Sequence, residues 1–164
     1  MESGIIYVNY YTVGTAIVLC ICALITYFAT TLPERSRASL HIAFGFGYMG
    51  GMGAAYMLSA MIYDPTAAFH RWITVGFVLP AATHCTQIFL HFPNTTRPRL
   101  ARGLLIGQYI MAILVSGYFM YQTLQVPRIF HFDGDYWDFA ADDLSKNVAY
   151  VILAYLAVML GAGS

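Results

Sequence analysis

The residues best suited to chemistry in this chain are three histidines and a glutamine. His84, Gln87 and His91 stand at offsets of three and seven, which puts them on one face of a helix. The segment that holds them, 72–92, carries no Asp, Glu, Lys or Arg. Polar groups in such a setting are costly unless they find partners. Three chemistries fit: hydrogen bonding between helices, to Gln108 or a tyrosine; a ligand- or proton-sensing pocket; or a haem or metal site. His84 and His91 are about 10 Å apart along one helix, so they cannot hold one iron together. His41 opens one apolar segment on the side where His91 closes another, so these two share a depth and could face each other. Haem through His41, His84 or His91 is the one cofactor option the residues raise. No zinc spacing appears, and no other metal site is expected.

A second candidate lies at 127–143, PRIFHFDGDYWDFAADD, where five Asp alternate with Phe130, Phe132, Tyr136, Trp137 and Phe139. Trp and Tyr favour the water–lipid boundary, so the plain reading is an interfacial anchor. Asp133-Gly134-Asp135 resembles a piece of a calcium loop, but the other ligands of the twelve-residue pattern are missing. The remaining reading is a surface for a periplasmic ligand or partner, with Trp137, Asp133 and Asp135 as its contacts. His70, Arg71 and Trp72 stand at the mouth of the same side. No Ser/His/Asp order and no acid pair in a shared pocket appears, so catalysis is not expected.

A third motif, Gly45-Phe46-Gly47-Tyr48-Met49-Gly50, matches G-x-G-x-x-G letter for letter. A dinucleotide site needs a strand before these glycines and a helix opening after them. Here they sit mid-way through an apolar segment. The spacing of four along Ala43, Gly47, Gly51, Ala55 and Ser59 suits close helix packing instead, against another helix of this chain or a second protomer. Cys20, Cys22 and Cys85 lie in apolar runs and read as small packing residues.

The elements that must position these residues follow from composition. The chain of 164 residues is 59% hydrophobic and 10% charged, with mean hydropathy +0.63. A soluble domain carries roughly 25% charge. The formal net charge is zero, so nothing points to nucleic acid. A membrane helix needs about 20 apolar residues, and five segments qualify: 5–31, 39–62, 72–92, 103–124 and 147–163. All sixteen charged residues fall outside them. The expectation is an all-α, polytopic bundle forming one transmembrane domain, with an outer loop at 125–146. Arg35 and Arg37 in one connection, with Arg97, Arg99 and Arg102 in another, place five Arg against Glu34 on one side, net +4. The other side nets −4, which puts the N-terminus outside and these arginines in the cytoplasm. Pro80 removes a hydrogen bond to the Gly76 carbonyl, so Gly76 and Pro80 are the expected hinge.

With these features placed, the chain resembles the N-terminal seven-helix sensing region found ahead of bacterial histidine kinases, nucleotide cyclases and sporulation-type serine phosphatases. The resemblance is clearest from about 69 to 139. It rests on FHRW at 69–72, Pro80, FLHFP at 89–93, PRLARG at 98–103 and HFDGDYWDF at 131–139. It covers the first five helices of that region. It implies an input domain that relays a membrane or periplasmic signal to a cytoplasmic output module by small helix shifts. Two other classes remain open on the residues. One is an accessory subunit of a larger membrane complex, its glycine face and aromatic loop binding neighbours in a homodimer or larger assembly. The other is a haem-bearing redox subunit.

Overall fold

A computed structural model describes residues 5–6, 8–92, 97–125, 130–139, 150–151, 153–155 and 157–158. Among the described residues the protein is all-α apart from two short pairs of strands. Four long helices are complete: α1 (Tyr10–Thr31), α2 (Arg37–Met61), α3 (His70–His91) and α4 (Pro98–Gln125). Residues 150–151, 153–155 and 157–158 are also helical. The rest of the fifth expected span, 147–163, lies outside the described residues, as do 126–129 and 140–146 of the loop.

The expected bounds shift for local reasons. The first helix begins at Tyr10 rather than residue 5, because Asn9 is extended and its side chain accepts a 2.7 Å hydrogen bond from the Thr12 amide. Ile5–Ile6 instead form β1, antiparallel to β2 (Ile62–Tyr63), so Ile62 leaves the second helix. Ser36 caps α2 through the Ser39 amide at 3.0 Å, drawing Arg37 into the helix. Pro98 opens α4 five residues early, its fixed φ suiting the first helical position. Arg37, Arg71, Arg99 and Arg102 therefore sit on the ends of helices rather than in connections. Between β2 and α3 runs a 3-10 helix (Pro65–Phe69) capped by Asp64. The loop after α4 contains a hairpin of β3 (Phe130–Phe132) and β4 (Trp137–Phe139). Gly134 in its turn has φ +85°, a conformation glycine adopts without strain.

Consecutive helices pack side by side, α1 on α2, α2 on α3 and α3 on α4. Two of the three interfaces are set by glycines of α2. A Cβ on Gly50 would lie 3.3 Å from Cys22 Cβ of α1, and one on Gly51 would lie 3.1 Å from the Phe77 ring of α3. The four-residue stripe drifts round the helix: Gly47 faces Thr26 of α1, whereas Gly51 faces α3. Ala43, Ala55 and Ser59 are buried, and Gly47 is exposed. On the far side of α3, Val75 and Leu79 pack with Ala112, Val115 and Phe119 of α4 and with Tyr155. Tyr155 hydrogen-bonds Thr83 at 2.8 Å and donates to the Gln108 carbonyl at 3.2 Å.

Among the described residues, three helices are long and apolar enough to cross a membrane: α1, α4 and the continuous run Pro65–His91. α2 is of comparable length, at 25 residues, but glycine and tyrosine dilute its hydropathy. The outward faces are apolar. Leu24 and Phe28 of α1 are 66% and 68% exposed, and Ile113 of α4 is 69% exposed. Contiguous apolar surface of this kind marks a membrane protein.

Candidate functional site

α3 carries polar chemistry at both ends. At the end shared with the hairpin, Arg71 Nε donates to Asp138 Oδ1 at 2.7 Å, and Nη2 pairs with Oδ2 of the same carboxylate. This two-pronged geometry is the strong form of an Arg–carboxylate pair. Arg71 Nη1 also donates to the Tyr56 hydroxyl at 2.7 Å. The guanidinium lies 5.7 Å and 5.9 Å from the ring centres of Tyr56 and Tyr136, within cation–π range. The Tyr136 phenol is pushed above its usual range by burial, with Arg71 opposing. Asn9 completes the clamp by donating to the Asp135 carbonyl at 2.8 Å. One acid of the loop, Asp138, thus binds α3.

The loop residues picked from sequence have different places. Asp133 and Asp135 are exposed. Trp137 packs its ring 5.3 Å from Phe132 and 5.6 Å from Tyr63. The importance of Arg71, Asp138 and Tyr56 was not visible in the sequence beyond the opposite charges sharing one side.

About two-thirds of the way along α3 begins a second array. His84 and His41 meet through their Nδ1 atoms at 2.8 Å. His84 Nε2 lies 2.7 Å from the Tyr109 hydroxyl, which donates to the Tyr48 hydroxyl at 3.3 Å. Each bond holds one proton, so the directions follow in sequence. With Tyr109 donating to Tyr48, His84 Nε2–H donates to Tyr109. A neutral His84 then accepts at Nδ1 from His41 Nδ1–H, the two rings being opposite tautomers. His91 stacks on His41 with ring centres 5.0 Å apart and planes within 10°. Gln87 is fully buried and donates to the Ala101 carbonyl at 3.1 Å. The tyrosine partner expected for this face is Tyr109; Tyr48 and the direct His41–His84 bond were not foreseen.

These rings do not fit a shared metal or haem. Two imidazole nitrogens on one tetrahedral zinc stand about 3.3 Å apart, and two on opposite sides of a haem iron about 4 Å. The His41–His84 separation is that of a hydrogen bond, and the His41 and His91 rings lie face to face rather than pointing at a common centre. Among the described residues, no group of three or more His, Cys, Asp or Glu is placed to hold a metal ion.

Pro80 is buried inside α3, and helical structure continues through it from His70 to His91. Gly76 sits one turn earlier with open space where a Cβ would be. At the far end of α3, Arg37, Arg99 and Arg102 join His41, Gln87 and His91 around one cleft of about 360 Å³. The two basic connections therefore meet at one end of the bundle, opposite the hairpin. Arg35 and Arg97 are exposed at the same end. Comparison with family models, curated proteins and solved structures gives no match.

Proposed function

We propose that this chain is the input region of an inner-membrane signalling protein, of the seven-helix sensing type it resembles. It spans the membrane five times with the N-terminus outside. Its partners are the lipid bilayer and an output module on the cytoplasmic side. The reading makes it a non-enzymatic relay. A signal at the hairpin passes along α3 to the histidines, with Gly76 and Pro80 as the flexible point between.

The observation that carries this reading is that one helix is tied at both ends. α3 is held by the Arg71–Asp138 clamp at one end and by the His84–His41 and His84–Tyr109 bonds towards the other. A ligand that displaces the hairpin alters the first set of bonds, and a rigid-body shift of α3 alters the second. Such a ligand must favour one of two packings to shift the population. The test is to substitute Asp138→Asn in nanodiscs and record the imidazole nitrogen resonances of His41 and His84. The relay predicts that both histidines change their shifts or tautomer balance. Unchanged resonances, with the hairpin demonstrably loosened, would refute it.

A second reading, an accessory subunit of a larger membrane complex, is favoured by one feature. Between α1, α2 and α3 an apolar groove of about 320 Å³ is lined by Thr26, Ala43, Phe44, Gly47, Tyr48 and Phe77. A foreign helix seated there would use the exposed Gly47. Substituting Gly47→Leu should then disperse a large assembly in mild detergent, whereas the input-region reading predicts no change in particle size.

A further inference from the structure

We propose that the cleft at the arginine end is a binding site for a phosphate group that carries a neighbouring hydrogen-bond donor, as glycerol phosphate does. The inference goes beyond the relay and stands on the cleft alone. Three guanidiniums line it, from Arg37, Arg99 and Arg102, and no carboxylate is among its described lining residues. Among the described residues, the one ion pair is Arg71–Asp138 at the opposite end, so the charge of these three arginines is not neutralised by a neighbouring acid there. Guanidinium forks match phosphate oxygens in pairs. The cleft also lies between the starts of two long helices, α2 at Arg37 and α4 at Pro98, whose amide ends favour an anion.

A second observation narrows the ligand. Gln87 lines the same cleft and is 0% exposed. Its Nε2 is used by the Ala101 carbonyl, while its Oε1 is buried with no partner among the described residues. A buried acceptor left unmatched is costly. A ligand hydroxyl beside the phosphate supplies the missing donor and leaves the phosphate oxygens to the guanidiniums, whereas inorganic phosphate offers a donor only through its own P–O–H, at the cost of an oxygen that would face the arginines. The volume, about 360 Å³, suits a headgroup-sized ligand.

The same chemistry is offered by a phosphatidylglycerol headgroup and by a soluble phosphate monoester. The cleft opens where the helices lose their apolar character, which on the five-span reading is the depth of lipid headgroups. Binding is measured on the purified full chain in two arms. In the first, native mass spectrometry and thermal unfolding compare nanodiscs of phosphatidylcholine with and without phosphatidylglycerol. In the second, glycerol 3-phosphate and inorganic phosphate are titrated onto the protein in phosphatidylcholine. A retained phosphatidylglycerol molecule with a raised unfolding temperature identifies a lipid source. Saturable binding of glycerol 3-phosphate, tighter than inorganic phosphate, with no lipid preference identifies a soluble one. In either case Arg99→Gln and Arg102→Gln, which change exposed side chains, should each weaken binding by at least about tenfold. Binding in neither arm, or binding that ignores both substitutions, would overturn the proposal.

Discussion

The Arg71–Asp138 pair and the His84 array are both partly or fully shielded from water, and single atoms decide their energies. The Arg71 and Asp138 side chains are 31% and 20% exposed. Removing the carboxylate by Asp138→Ala strands the guanidinium beside Tyr56 and Tyr136, and a charged hydrogen-bond partner is worth roughly 1.5–3 kcal/mol. The expected result is a lowered unfolding temperature, with the loss absent when Arg71 is already replaced by Ala. Additive losses in that double-mutant cycle would deny the coupling. Within the histidine array, Tyr109→Phe keeps the ring and deletes only the hydroxyl, so His84 Nε2 loses its acceptor. The prediction is a change in the His84 nitrogen resonances, with His41 following because its Nδ1 proton is shared. Asp64 gives a pH prediction outside the membrane. The Thr66 hydroxyl, then the Thr66 amide, hold its carboxyl below the usual range. A lowered carboxyl stabilises the fold above its ordinary pKa, and that contribution is lost as pH falls through the lowered value. An NMR titration should place the Asp64 midpoint below that of an ordinary aspartate, and Thr66→Ala should move it up.

At the scale of the element, the helices of this bundle are told apart by glycine. A methyl added at Gly76 of α3 would have nothing within 4 Å, whereas at Gly51 of α2 the same methyl meets three atoms of the Phe77 ring at 3.1–3.2 Å. Alanine in a helix gains roughly 0.5–1 kcal/mol over glycine, and overpacking costs about 1–3 kcal/mol. Gly76→Ala is therefore expected to raise the unfolding temperature and Gly51→Ala to fall below it; the reverse order would contradict the packing described. The close approach of α2 was legible in the run of small residues, but its geometry was not. A spacing of four drifts around a helix of 3.6 residues per turn, so one stripe in sequence becomes contacts to two neighbours, and the buried glycines Gly45, Gly50 and Gly53 lie off it. The histidine face of α3 could be read from offsets alone. Its partner Tyr109 could not be singled out, being 25 residues away on a helix with apolar residues on every side. The clamp was hidden for a similar reason: Arg71 and Asp138 are 67 positions apart, and the hairpin that brings them together depends on local pairing between β3 and β4.

Across the whole molecule, two chemically different ends are held apart by apolar helices. The hairpin end gathers Asn9, Arg71, Tyr136 and Asp138. The other end gathers Arg37, Arg99 and Arg102. This polarity was the most legible feature of the sequence, because charge is excluded from hydrocarbon and every long apolar run reverses the chain's direction. The fold between the ends was less legible, since burial inside the bundle follows pairings of helices and not hydropathy. Our central claim is that membrane lies between these two ends, with the arginine end in the cytoplasm. It is tested by single-cysteine labelling in intact cells, on a background in which Cys20, Cys22 and Cys85 are replaced by Ala. Arg35→Cys and Asp133→Cys report the two ends, both at exposed positions. The account predicts that a membrane-impermeant maleimide labels Asp133→Cys in intact cells and labels Arg35→Cys only after the membrane is opened. Labelling of both from the same side, or of Arg35→Cys alone from outside, would contradict it.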